Sequence, residues 1–263
     1  MIQKVKISVY ILTYNNEDTI ERALKSALWA EEIIVVDHFS NDRTPEICKK
    51  YTHKFFQKEW TTYREEYNYA ISLTTNKWVM FLDSDEEITP ELAEEIREEL
   101  SKNEGKWAGY LVPRMTFYLG KWIKHGGWYP DYKLRIFDKT LGKWAGRSFD
   151  PYPEVQGRVK KLKNPCLHYS FKNLNHHIDK INQYSTLFAK TALYEKQRKF
   201  KLIHLLLRPT FRFLRNYFLK LGFLDGMPGF ISAVMASYYV FIKYAKMWEE
   251  EQNEKRFTAK RNC

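Results

Sequence analysis

Trp78-Val79-Met80-Phe81-Leu82-Asp83-Ser84-Asp85-Glu86-Glu87 runs five apolar residues straight into four acids spread over five positions. A run of that length, with aromatic and β-branched members, is too short for a helix and reads as a buried central strand. Its C-terminal end delivers Asp83, Asp85 and Glu86 to one edge of a sheet, where open α/β sheets place their ligands. Massed carboxylates repel one another and call for a counter-charge, most simply a divalent cation bound through oxygen. The bland reading is an acidic loop before a helix, which the helix dipole also favours.

Working outward, Lys6-Ile7-Ser8-Val9-Tyr10-Ile11-Leu12 is a strand pattern ending in polar Thr13-Tyr14-Asn15-Asn16. Ile20, Ala23, Leu24, Ala27 and Leu28 then mark one face of an amphipathic helix. Ile33-Ile34-Val35-Val36 is a second buried strand ending at Asp37, with Ser40 and Asp42 just beyond and a helix from Pro45 to Tyr51. A short strand at Lys54-Phe55-Phe56-Gln57, a helical face through Tyr63, Tyr67, Ala70 and Ile71, and a helix opening at Thr89-Pro90 complete the series. Strand and helix alternate four times, which predicts a parallel, doubly wound α/β sheet. Beyond Gly105 the strands Tyr110-Leu111-Val112, Lys133 to Phe137 and Cys166 to Tyr169 follow without long helices, so the sheet becomes mixed or antiparallel. A helix is expected from Asn173 through Ile178, Ile181, Leu187 and Phe188.

The 263 residues, 44% hydrophobic, suffice for one large domain with an appendage. A net charge of +11 and a pI near 9.3 imply an anionic partner: a nucleotide, a nucleic acid or a membrane surface. Cys48, Cys166 and Cys263 lie far apart, which indicates neither a disulfide framework nor a zinc cluster. With no signal-peptide pattern at the start, a cytoplasmic protein is expected. Neither G-x-G-x-x-G after the first strand nor a P-loop pattern occurs, which disfavours a dinucleotide fold and a P-loop NTPase.

Three polar strand ends, Thr13 to Asn15, Asp37 with Ser40 and Asp42, and Asp83 with Asp85, converge in a parallel sheet and can line one nucleotide pocket. Ser8 to Asn16, Ile33 to Thr44 and Phe81 to Glu86 resemble the family 2 inverting glycosyltransferases of GT-A fold. Tyr118-Leu119-Gly120-Lys121, His125-Gly126-Gly127-Trp128-Tyr129-Pro130-Asp131 and Leu167-His168-Tyr169-Ser170 resemble the branch that adds glucose in β-1,4 linkage to heptose of the lipopolysaccharide inner core. The resemblance implies a UDP-sugar donor, Mg2+ or Mn2+, and inversion by single displacement onto a lipopolysaccharide-core or other lipid-linked acceptor. Two departures stand out: Glu66-Tyr67-Asn68-Tyr69-Ala70 where the branch has Gln-Arg-Asn-x-Ala, and Tyr152-Pro153-Glu154 where it has Val-His-Glu. The first loses a basic side chain that would face the diphosphate.

On this reading the metal ligands are Asp85, Asp83 and His168, and the donor is held by Thr13, Tyr14, Asn15, Asp37, Ser40, Asp42, Asn68, Asp83 and Ser84. Glu154 is the general base with Asp131 as rival, and each also reads as a surface acid paired with Lys. Trp128 and Tyr129 either stack on a sugar or pack in a core, and Arg135 meets phosphate or a neighbouring acid. Residues 1–195 form the GT-A domain, with a nucleotide-binding half at 1–104 and an acceptor-binding half at 105–172. Residues 196–263 form an amphipathic helical appendage, apolar but studded with Arg and Lys. Gly226 to Ile242, its longest uncharged run, falls short of a span, so the appendage lies on the anionic inner face of the cell membrane or packs on the core or a second subunit. A non-catalytic nucleic-acid-binding protein is the alternative function; acids at three strand ends and the lack of an RNP pattern oppose it.

Overall fold

The computed structural model describes residues 5–147, 150–195 and 199–261. By compactness the chain divides into two units, Met1–Met115 with Pro130–Ser170, and Thr116–Tyr129 with Phe171–Cys263. This division rests on packing, whereas the division at 195 is one of role and stays a proposal.

The first unit alternates β1 (Val5–Thr13), α1 (Ile20–Ser26), β2 (Ala30–Asp37), α2 (Thr44–Lys49), β3 (Phe55–Gln57), α3 (Tyr63–Ser72) and β4 (Trp78–Phe81). β5 (Glu86–Ile88), α4 (Pro90–Ser101) and β6 (Gly109–Tyr118) follow, then β7 (Lys121–Trp122) and β8 (Asp131–Asp138). Next come β9 (Gly142–Arg147), β10 (Asp150–Val155), β11 (Val159–Lys161) and β12 (Cys166–His168). Among the described residues ten strands make one sheet with the path β3-β2-β1-β4-β8-β6-β12-β5. β3, β2, β1 and β4 run parallel, and β8 then pairs antiparallel with both β4 and β6. The sheet is therefore mixed, as the change of pattern after Gly105 implies.

Pleat alternation explains the two-sided core. Ile7, Val9 and Ile11 of β1 face one layer with Met80 and Leu82, while Tyr10 faces the other with Ile34, Val36, Val79 and Phe81. All three isoleucine and valine side chains are inaccessible to water, and each contributes about 1.5–3 kcal/mol by burial. β9 and β10 form a separate antiparallel hairpin, closed onto the sheet by Trp144, whose Nε1 donates to Tyr10 Oη at 2.7 Å.

Some expectations differ in detail. α1 ends at Ser26 and leaves Leu28 exposed. β5 and the β9–β10 hairpin are unforeseen, the former because Glu86-Glu87-Ile88 carries no strand alternation and pairs with distant β12.

In the second unit α5 (Leu174–Lys190), capped by Asn173, continues into a π-helical turn at Thr191–Glu195. It buries His177, Ile181, Ser185 and Ala189, whereas Ile178 and Leu187 of the expected face are exposed. α6 (Leu202–Leu214) continues as a π-helical turn at Arg215–Leu219, and a 3-10 turn at Gly222–Asp225 leads into α7 (Gly226–Arg261). Among the described residues no single helix is long and apolar enough to cross a membrane; only Leu202–Leu219 with Gly222–Lys255, bent by 69°, meet that test together.

Candidate active site

The parallel strands deliver their carboxyl ends to one edge, where the loops after β1, β2 and β4 bind one another. Asn15 N donates to Ser40 Oγ at 2.8 Å, and Asn41 N donates back to Asn15 Oδ1 at 2.9 Å. Asn16 Oδ1 accepts from Thr13 Oγ1 and from Ser84 Oγ, both at 3.0 Å, which ties β1 to the loop after β4. Asn15 and Phe39 hold left-handed backbone, with φ of 52° and 57°, a cost that such networks sustain at functional sites. Tyr14 stands out into solvent, 57% exposed.

Asp37 is fully buried and accepts from Ser40 N at 3.0 Å, from Ser40 Oγ, and from Gln57 Nε2 at 2.9 Å. Asp42 accepts from Thr44 N at 2.9 Å and Glu17 N at 3.1 Å. Desolvation raises its carboxyl pKa, but the Thr44 and Glu17 hydrogen bonds outweigh it and hold the group below the usual range. Near Asp37, His38 Nε2 and Glu66 Oε2 are buried without a hydrogen-bond partner among the described residues, and the His38 ring meets the half-exposed Trp60 edge-on.

After β4 the acids separate into two groups. Asp83 turns to Arg135, whose Nη2 donates to it at 2.8 Å and also to buried Glu86. Arg114 lies 3.5 Å from Glu86 and 2.7 Å from Asp131, so β4, β5, β6 and β8 share one ion network. Burial pushes the Glu86 carboxyl above the usual range against the pull of Arg135. Asp85 instead lies 3.5 Å from His168 Nε2, which β12 brings in by pairing His168 with Glu86 of β5. Among the described residues no three His, Cys, Asp or Glu side chains gather into a metal site, because Asp83 is drawn to Arg135. A carboxylate and an imidazole on one edge nonetheless suit a cation that completes its shell with diphosphate oxygens and water.

The remaining candidates are placed as follows. Both atoms of the Asn68 amide bond the backbone of Trp144 at 3.0 Å, so Asn68 fastens α3 to β9. Tyr67, where the resembling branch carries Arg, stacks on Trp144 with ring centres 3.9 Å apart. Asp131 is paired with Arg114 and Lys133; desolvation opposes the charged form, but the two cations hold its carboxyl below the usual range, which weakens it as a base. Glu154 is exposed on β10 opposite Lys143, on the hairpin face away from Trp144, and outside the ion network around Asp83. Trp128 and Tyr129 belong to the second unit, where Trp128 packs against Tyr118, Phe171 and His177. Arg114 is a site member that pattern reading did not select, whereas Glu86, placed at this edge by the sequence, is buried in the ion network. A buried acid directly after an acid-rich strand end was the available signal for Glu86; β6 offered none for Arg114.

The profile of glycosyl transferase family 2 matches residues 8–150. An uncharacterised glycosyltransferase of Rickettsia typhi is 30% identical over 256 residues, covering 93% of this chain and 87% of that protein. The lipopolysaccharide core biosynthesis glycosyltransferase LpsC of Rhizobium meliloti is 25% identical over 256 residues, covering 95% of this chain and 94% of that protein. The mannosyltransferase PcManGT from Pyrobaculum calidifontis, solved with GDP-Man and Mn2+, superposes with a TM-score of 0.55 at 15% identity, covering 94% and 88% of the two chains.

Proposed function

The chain belongs to glycosyl transferase family 2 and has its α/β GT-A fold, and on that premise we propose that it moves a hexose, glucose by its resemblance, from a UDP-sugar to a lipopolysaccharide-core or other lipid-linked acceptor. The observation that carries this reading is the Asp85–His168 pair at the edge where three polar strand ends meet. The likeness to a lipopolysaccharide core biosynthesis enzyme supports the acceptor class.

Asp85 and His168 would hold a divalent cation, Mg2+ or Mn2+, which when bound neutralises the diphosphate as it leaves. Asp83, fixed by Arg135, is oriented to accept from ribose hydroxyls, and Thr13, Tyr14, Asn15, Asp37 and Ser40 frame the nucleoside. Glu154 takes the proton from the acceptor hydroxyl as that oxygen bonds the anomeric carbon and the bond to the diphosphate breaks on the opposite face, which inverts the centre. Asp131 serves less well while Arg114 and Lys133 stabilise its charged form. Trp128 and Tyr129 offer ring faces to an acceptor sugar, and the cationic C-terminal helices would hold the protein on the inner membrane face.

The test is UDP release from a panel of UDP-sugars with manganese or magnesium, with product configuration read by NMR. Absence of UDP binding and of release from every donor would sink the reading.

A further inference from the structure

The second unit turns its apolar side outward. Along α6, Ile203, Leu207, Phe211 and Leu214 follow the helical repeat and are 45–61% exposed, the reverse of a helix packed at a water-facing surface. The turn beyond continues the pattern, with Leu219 73% and Met227 67% exposed, and Leu221, Phe223 and Leu224 exposed between them. From Lys199 to Trp248 the only acid is Asp225, and it is buried.

Inward, the same turn is fastened to the loop that carries Trp128. Asp225 Oδ2 accepts from Lys124 N at 3.1 Å and His125 N at 2.8 Å, and Asp225 Oδ1 lies 3.1 Å from His125 Nδ1. Lys220 O accepts from Gly126 N at 2.8 Å. Gly126, at φ +66°, lies against Gly222, and a side chain at Gly229 would run into Gly222 O, so loop, turn and α7 pack backbone to backbone.

We propose that the turn 219–227 inserts into the interfacial layer of an anionic bilayer and, through Asp225 and Lys220, orders the loop 124–127 at headgroup level. The proposal rests on the lipid-linked acceptor reading for its purpose, while its geometry stands on this unit alone. A bilayer fits because it supplies apolar interior for the crest and phosphates for Arg212, Arg215 and Lys220 around it. A second copy pairing through the same face fits worse: it would bring these cations against their own kind, with no exposed acid between Lys199 and Trp248 to neutralise them.

The experiment uses the full chain and vesicles of phosphatidylcholine with and without phosphatidylglycerol. Flotation should show binding that needs phosphatidylglycerol, and Phe223→Asp with Leu224→Asp should lower partition about a hundredfold, at about tenfold for each side chain. Vesicles should slow amide exchange at Lys124, His125 and Gly126 in the unaltered protein, and Asp225→Asn should abolish that slowing while flotation persists. Failure to float, with dimers in sedimentation velocity, would make a second copy the occupant. Flotation with unchanged exchange at the loop would overturn the coupling. UDP release without vesicles reads the catalytic proposal separately and should be unaltered in the double variant.

Discussion

Asp85 Oδ2 lies 3.5 Å from His168 Nε2, across a strand pair that joins residues about eighty positions apart. If this pair holds the cation, Asp85→Asn and His168→Gln should each weaken manganese-dependent UDP binding by about a hundredfold or more, with the melting temperature preserved. Titration calorimetry with and without manganese checks it; equal affinities in both variants would move the cation elsewhere.

Arg135 is buried between Asp83 and Glu86. Arg135→Met should cost about 3–5 kcal/mol in urea unfolding, because it leaves the buried Glu86 carboxylate without its nearest counter-charge. Arg135→Met combined with Glu86→Gln should recover part of that loss, since the double variant removes the unpaired charge as well.

Glu154→Gln should reduce kcat by about 10² to 10⁴ with the donor KM retained. Asp131→Asn should act chiefly through Arg114 and affect stability more than turnover. The reverse outcome would assign the base to Asp131.

His177 accepts burial as a neutral ring beside Tyr118 Oη at 2.8 Å. Burial first, then Lys180 and His176, depress its pKa from 6.5 to about 4. The unfolded chain then takes a proton that the folded one refuses, so stability should fall as pH drops from 6.5 towards 4 and level off below. The loss is about 3 kcal/mol. Denaturation at successive pH values checks the slope, which His177→Gln should flatten.

Much of the fold was legible where apolar runs end in polar residues. β1, β2 and β4 announce themselves because a buried parallel strand has no need of alternation, and Asn15, Asp37 and Asp83, at or just past their ends, fall at one edge of the sheet. β5 was hidden because its acids meet partners from distant elements, Glu86 with Arg135 and Arg114 and Glu87 with Tyr169 Oη, pairings no local pattern carries. The inner face of α5 was misread because His177 and Ser185 are polar residues that find partners in Tyr118 and the Asn182 carbonyl. Within the site, the separation of Asp83 from Asp85 depends on which side of one turn each carboxylate leaves, and spacing alone does not encode that.

The bonds from Lys124 and His125 to Asp225 span about a hundred residues. On the ribosome the loop is made first and has nothing to bind until Asp225 emerges, about 5–20 seconds later at ordinary elongation rates. For that interval the chain has strands β1 to β4 in hand but no settled loop 124–127, and the residue that settles the loop arrives together with Phe223 and Leu224. A nascent or prematurely terminated chain would thus carry the sheet without a settled loop, so assembly in time runs from the sheet to the loop 124–127.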